Sequence, residues 1–262
     1  MDILRWLELK KREIGFSHNA LIIIAMFTMF LDHFAYMIIQ NGKLFGYDEG
    51  LYLSAISQAE GKKWLAAYTV LRTIGRISFP IYSFLIVEGF RRTSNVFKYI
   101  LRIFILAIIS EIPFDLMIFN KLHFPTCLAA QNVLFTYVVA LIMLSIIKVI
   151  SSWPALFTIF IAIAAGTITF FIKSEYWQWG IILIYVLYMF RHDLNLKCLF
   201  VIIITLIMTA EKYYGFGVVS VFFIYFYDGT KGYLDLKRFH YLFYPLHMLV
   251  LYGIVFFSNI YN

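Results

Sequence analysis

Long apolar runs, separated by short charged connections, set the pattern of this chain. They occupy residues 19–39, 64–88, 96–118, 127–150, 153–172, 177–190, 196–210, 214–227 and 241–258. A helix needs about 20 apolar residues to cross the hydrocarbon core. The pattern therefore predicts an all-α fold, a polytopic transmembrane helix bundle of about nine helices, with eight to ten compatible. The runs starting at 177, 196 and 214 are short, so one of them could fail to cross. The runs are continuous rather than alternating, which excludes a membrane β-barrel. The first run is too long for a cleavable signal, carries Asp32 and His33, and has no small-residue cleavage site. Residues 1–18 form an expected cytosolic or interfacial segment, because residues 4–12 mix Leu and Trp with Lys and Arg. So little sequence remains between the runs that 1–262 is expected to be a single transmembrane domain.

Composition agrees with the pattern. Of 262 residues, 62% are hydrophobic and only 14% charged, an apolar excess that one soluble core cannot hide. The net charge of +7 reflects lysines and arginines scattered over separate loops. With nine spans and the N-terminus inside, 13 of the 22 fall on the cytosolic side and 6 outside, as the positive-inside rule requires. That scatter argues against nucleic-acid binding and for contact with anionic lipid. Cys127 and Cys198 lie in different runs without CxxC spacing, so buried, inert thiols are expected rather than a disulfide or a metal site. No HExxH, GxxxxGK[ST], GxGxxG or GxSxG motif is present, so no metal is implied and neither a nucleotide-driven pump nor a serine hydrolase of the usual kind is supported.

The informative residues are the ionisable ones inside the runs, which are costly in lipid and mark function or partnership. Asp32 and His33 are adjacent, so they cannot share a helix face. His33 is the group best suited to exchange a proton near neutral pH. Arg72 and Arg76 stand four apart and share a face. They would bind a carboxylate or phosphate, or pair with Asp32 or with the acids of the third run. Those acids, Glu111 and Asp115, are also four apart, with Pro113 between them. Two acids facing two arginines of the neighbouring helix is the simplest arrangement, a structural ion network. Glu88 precedes Arg91 and Arg92 at a cytosolic end, where the arginines serve topology or contact phosphate. Asn132, with Gln131 and Thr136, would hold a polar ligand or bridge helices. His247, two residues after Pro245, reads equally as a boundary histidine or a functional one.

These polar islands resemble the TraX family of bacterial integral-membrane acetyltransferases. The likeness lies in MFLDHFAYMI (29–38), GRISFPIYSFLIVEGFRRTSN (75–95), KYILRIFILAIISEIPFDLMIF (98–119), QNVLFTY (131–137) and FYPLHMLVLY (243–252). The resemblance implies an acyltransferase of the bacterial plasma membrane. It would move an acetyl or similar group from cytosolic acetyl-CoA to an amine or hydroxyl of an exported peptide, glycan or lipid acceptor. It matches His33 to the family's catalytic histidine; the chemistry of acyl transfer then suits His33 as base, with Asp32 orienting or stabilising it and Asn132 or Arg76 supplying oxyanion donors. Arg72, Arg76, Glu88, Arg91, Arg92 and His247 become the residues on the acetyl-CoA side. The alternatives are a secondary transporter, in which the same charges form a substrate or proton path, and a non-catalytic membrane assembly factor. Neither inverted halves nor an internal repeat is visible.

Overall fold

The computed structural model describes residues 15–122, 130–150, 152, 154–233, 236 and 239–260. Residues 4–12, His123, Cys127, Lys237 and Arg238 lie outside the described residues. Among those described, the fold is all-helical, with isolated β-bridges at Phe16–Tyr227 and Gln131–Ser174 in place of strands.

Helix α1 (His18–Phe34) is capped by Ser17, whose hydroxyl accepts from the Ala20 amide at 3.2 Å. It runs on into wider π-type turns at Ala35–Lys43. Helix α2 (Glu49–Ser57) is capped by Asp48 and buries none of its residues. Helices α3 (Ala59–Gly75) and α4 (Ser78–Arg92) follow, then α5 (Val96–Phe119), capped by Asn95. Helix α6 (Val133–Val149) is capped by Asn132, α7 spans Ala155–Phe171 and α8 Trp177–Met189. Helix α9 (Leu194–Tyr213), capped by Asp193, leads through a 3₁₀ turn at Phe216–Val219 into the short α10 (Ser220–Tyr225). Helix α11 (Phe239–Ile260) closes the described chain.

Among the described residues, four segments are long and apolar enough to cross a membrane: His18–Lys43, Ala59–Arg92, Leu194–Tyr213 and Phe239–Ser258; shorter apolar helices accompany them. The chain is a multi-pass membrane protein, and a count of nine full spans does not follow from it. Two differences from the expected pattern have clear causes. The run at 64–88 is divided, because the backbone turns at Arg76 and Ile77 between α3 and α4. Pro80 then sits in the first turn of α4, where its missing N–H costs no intrahelical bond. The run at 214–227 is no span-length helix: Tyr214 and Gly215 adopt left-handed φ of 53° and 70°, and the chain returns through the 3₁₀ turn and the six residues of α10. Pro113, in contrast, is carried inside a continuous α5.

Helix α1 packs against α3, α4 and α11, while α6, α7 and α8 pack on one another and α8 closes on α4. Backbone ties fix both ends of this bundle. At one end, the Phe16 amide donates to Phe226 O (2.9 Å) and the His18 amide to Thr230 O (2.8 Å). At the other, the Gln131 amide donates to Lys173 O (3.1 Å) and the Glu175 amide to Gln131 O (2.9 Å). The Thr136 hydroxyl donates to Glu175 O at 2.6 Å. The first end gathers the start of α1 and the end of α4; the second folds the α7–α8 turn over the start of α6.

Candidate active site

Asp32 is buried on α1 and accepts from both arginines of α3. Arg72 Nη1 donates to Asp32 Oδ2 at 2.6 Å, and Arg76 Nη2 donates to Asp32 Oδ1. Gly75 makes this approach possible. A Cβ there would overlap the Asp32 carboxyl group, so a side chain would force α3 away from α1. Aromatic rings surround the remaining guanidinium surface: Tyr36, Tyr68 and Tyr213 lie 5.5–5.9 Å from Arg72, and Tyr213 lies 4.6 Å from Arg76. Such contacts favour a desolvated cation.

The expected pairing of Arg72 and Arg76 with Glu111 and Asp115 is therefore corrected. Asp32 takes both arginines. Glu111 instead accepts from Asn132 Nδ2, which also donates to Ala107 O at 2.9 Å. Asn132 Oδ1 caps α6 through the Leu134 amide at 3.1 Å. Asn132 is thus tied on both sides to α5 and α6.

His33 meets a partner far along the chain. Its Nδ1 lies 2.6 Å from Nε2 of His247 on α11, and His247 Nδ1 lies 2.6 Å from Phe243 O. The two imidazoles are coplanar within 1°, with centroids 4.9 Å apart. The excess of centroid separation over nitrogen separation is about one ring diameter, so the rings meet edge to edge in a common plane rather than face to face. The Phe243 ring stacks on His247 at 4.7 Å. Asp32, the neighbour in sequence, does not hold the imidazole: both its oxygens are occupied by guanidinium groups.

Two cavities approach this point. The small one is lined by Asp32, His33, Gly75, Ser78, Glu175 and Tyr176, among others. The large one has a volume of about 570 Å³ and carries His18, Arg92, Arg102, Lys231 and His240 beside Ile22, Leu85, Ile103 and Leu106. Tyr82, Val133, Tyr137 and Tyr244 line both. His18, Arg92 and Lys231 belong to the tied end of the bundle, while His33 sits about 22 Å further along α1 at 1.5 Å per residue. Glu88 lies at the same end as Arg92, accepting from Arg91 Nη1 at 2.6 Å and paired with Arg92 Nη2 at 3.2 Å. Arg92 Nη2 also donates to Tyr227 Oη (3.0 Å) and Gly229 O (3.1 Å).

The structure thus joins Asp32 to Arg72 and Arg76, and His33 to His247. Glu88, Arg91 and Arg92 form a separate group at the bundle end. Glu111 and Asn132 stand apart as the α5–α6 tie, and Asp115 is buried on α5 one turn beyond Glu111. Sequence reasoning passed over Glu175, Arg102 and the tyrosines at the cavity junction. Glu175 sits in the turn between α7 and α8, where burial pushes its carboxyl up to about 7 against the opposing pull of Arg76.

The family model described as TraX protein matches residues 17–255. The probable fimbrial assembly protein FimC, serogroup H1, of Dichelobacter nodosus is 28% identical, over 92% of this chain and 96% of that protein. No solved structure matches the chain. Since the family match runs from the cap of α1 into the last helix, across both cavities and the histidine pair, the chain belongs to the TraX protein family.

Proposed function

We propose that this protein is an acyltransferase of the bacterial plasma membrane. It takes an acetyl group from acetyl-CoA at the cytosolic face and delivers it to an amine or hydroxyl of an exported acceptor. The observation that carries the reading is the meeting of the two cavities beside His33. The large cavity suits a donor with a phosphate-bearing end and a long uncharged arm. Arg92, Arg102 and Lys231 offer charge and hydrogen bonds to phosphate at its mouth, and Leu85, Ile103 and Leu106 offer apolar wall further in. The basic end of the bundle would then face the cytosol, in keeping with the positive-inside rule.

Acetyl-CoA, when bound, supplies an acyl group on a good leaving thiolate. The chain supplies the rest. His33 removes the proton from the attacking amine or hydroxyl. Tyr82 and Tyr244, at the junction of the cavities, present hydroxyls toward the charge that develops on the carbonyl oxygen. Arg72 and Arg76, compensated by Asp32, keep a net positive field behind the small cavity. Glu175, on the α7–α8 turn, lines the small cavity but not the large one, and the acceptor would enter on its side. The fimbrial assembly role in the relative's name supports an exported fimbrial or pilin-like peptide as acceptor.

The test is transfer of labelled acetyl from acetyl-CoA by the purified protein in lipid nanodiscs, with exported peptide as acceptor. We expect His33→Ala to lose transfer by a factor on the order of 100 or more while keeping acetyl-CoA binding. Full transfer by that variant would remove His33 as the base. Unchanged acetyl-CoA binding in an Arg92→Ala/Arg102→Ala double variant would remove the large cavity as the donor site.

A further inference from the structure

The geometry points to His247 as the positioning residue that fixes which nitrogen of His33 is basic, with the Phe243 carbonyl as the anchor of the relay. This rests on the acyltransferase reading above. A carbonyl oxygen only accepts, so His247 Nδ1, at 2.6 Å from Phe243 O, must carry a hydrogen and donate it. In neutral His247 the other nitrogen, Nε2, then holds a lone pair. Its neighbour at 2.6 Å, His33 Nδ1, must therefore be the N–H. His33 Nε2 is left as the lone pair, and it makes no hydrogen bond among the described residues. The coplanarity of the rings puts this lone-pair axis on the line of the N–H, as a directional bond needs. Stacking by Phe243 keeps the His247 ring in that plane.

Other polar and charged groups around the pair leave this assignment intact. Asp32 is saturated by Arg72 and Arg76, the Tyr244 ring lies 6.5 Å from His33 between centroids, and the Tyr244 backbone beside His247 offers a carbonyl, which only accepts. When His33 Nε2 takes the acceptor proton, the positive charge is shared through Nδ1–H to His247 and on to the Phe243 carbonyl dipole. The proton leaves with the thiolate when His33 gives it up, so the relay ends each cycle as it began. No anion is needed beside the base, which suits a site inside a membrane where an unpaired carboxylate would be costly.

The experiment reads tautomer and turnover together. The wild-type chain, with isotope-labelled histidine nitrogens and in nanodiscs, is compared with His33→Ala to assign the His33 ring signals. We expect His33 to be protonated at Nδ1 and bare at Nε2, and His247→Leu to abolish that preference. In the transfer assay, His247→Leu should lower kcat on the order of 100-fold with KM for acetyl-CoA unchanged. His247→Gln, whose amide oxygen stands where Nε2 did and accepts from His33 Nδ1–H, should recover most of the loss. A purely packing role for His247 would instead be rescued by Leu or Met and not by Gln. A proton on His33 Nε2 in the wild type, or full kcat in His247→Leu, overturns the proposal. Absence of transfer by the wild-type chain overturns the acyltransferase reading instead, and the relay's role in turnover with it, while the nitrogen spectrum still decides the tautomer.

Discussion

Each of two acids in this protein holds two arginines, and they do it in opposite ways. Asp32 reaches from α1 to Arg72 and Arg76 on α3, so the ties cross 40 and 44 residues of sequence. Glu88 binds Arg91 and Arg92 of its own helix, three and four positions on. The first cluster is largely buried: the Asp32, Arg76 and Arg72 side chains are 10%, 9% and 17% exposed. In the second, Arg91 and Arg92 are 34% and 51% exposed. The same residue types thus do two jobs. A buried, non-local clamp must be complete or the helices cannot meet, because a lone charge in low dielectric is far costlier than a lone charge in water. A local clamp at the bundle end is in equilibrium with solvent and can exchange its carboxylate for another anion. The inner cluster holds α1 to α3 beside His33, and the outer one lies partly exposed at the bundle end.

The sharpest break of this contrast is Asp32→Asn. It strands two buried guanidinium groups, and the expected loss is about 3–5 kcal/mol, visible as a large fall in Tm in nanodiscs or as failure to accumulate. An Asp32→Asn/Arg76→Leu double variant should lose less than the sum of the singles, because the charge imbalance is partly relieved. Additive losses would mean that the clamp is not a unit. Next in size is Gly75→Ala. The added methyl must overlap Asp32, and overpacking of this kind costs about 1–3 kcal/mol. Beside the outer clamp, a methyl at Gly89 would meet the Tyr99 hydroxyl, the far end of a long side chain rather than a carboxylate clamped by two arginines. Gly75→Ala should therefore cost more than Gly89→Ala. A Gly75→Ala protein of wild-type Tm would show that α1 and α3 are not held at contact distance.

The helical membrane fold was legible in the sequence because an apolar run of span length folds stably in lipid as a helix and in few other ways. Arg72 and Arg76 stood out too, since charges four apart share a helix face. Their partner was not legible. Asp32 on one side and Glu111 with Asp115 on the other satisfy the same rule, and depth along an apolar run does not say which helix is the neighbour. Gly75 was the available clue, a residue without Cβ between the two arginines. His247 was a candidate, but its pairing with His33 spans 214 residues and no local pattern reports it. Glu175 was illegible for a different reason: it stands in a short polar turn, where an acid is ordinary, and only the folding of that turn over α6 brings it to the cavity. The junction tyrosines were lost among 19 of their kind.

Glu175 offers a smaller effect with a sign fixed by its environment. Burial raises its carboxyl from 4.5 to about 7. A raised carboxyl contributes its stability fully below the ordinary value, where the group is neutral in both states, and loses it as pH climbs through the folded value. Wild type should therefore weaken relative to Glu175→Gln between about pH 4.5 and 7, by on the order of 1 kcal/mol once partial exposure is discounted. Parallel Tm curves for the two proteins across that window would show that the carboxyl is not held in the small cavity. The inner clamp should be indifferent to the same window, since both oxygens of Asp32 are bound by guanidinium groups.

Glu88→Gln should change stability least, by less than about 1 kcal/mol, because Arg91 and Arg92 can turn to water. Its effect should appear in binding, and with a gain rather than a loss. Glu88 neutralises part of the charge at the mouth of the large cavity and competes for Arg92 with any phosphate that enters. Removing that carboxylate should tighten acetyl-CoA binding a few-fold at low ionic strength, and the gain should shrink as salt screens the mouth. Calorimetric titration of Glu88→Gln at two salt concentrations reads both. Weaker binding would mean that Glu88 orients Arg92 for the ligand instead of competing with it. An unchanged Kd at either salt would separate the outer clamp from the cavity altogether, and both clamps would then be structural.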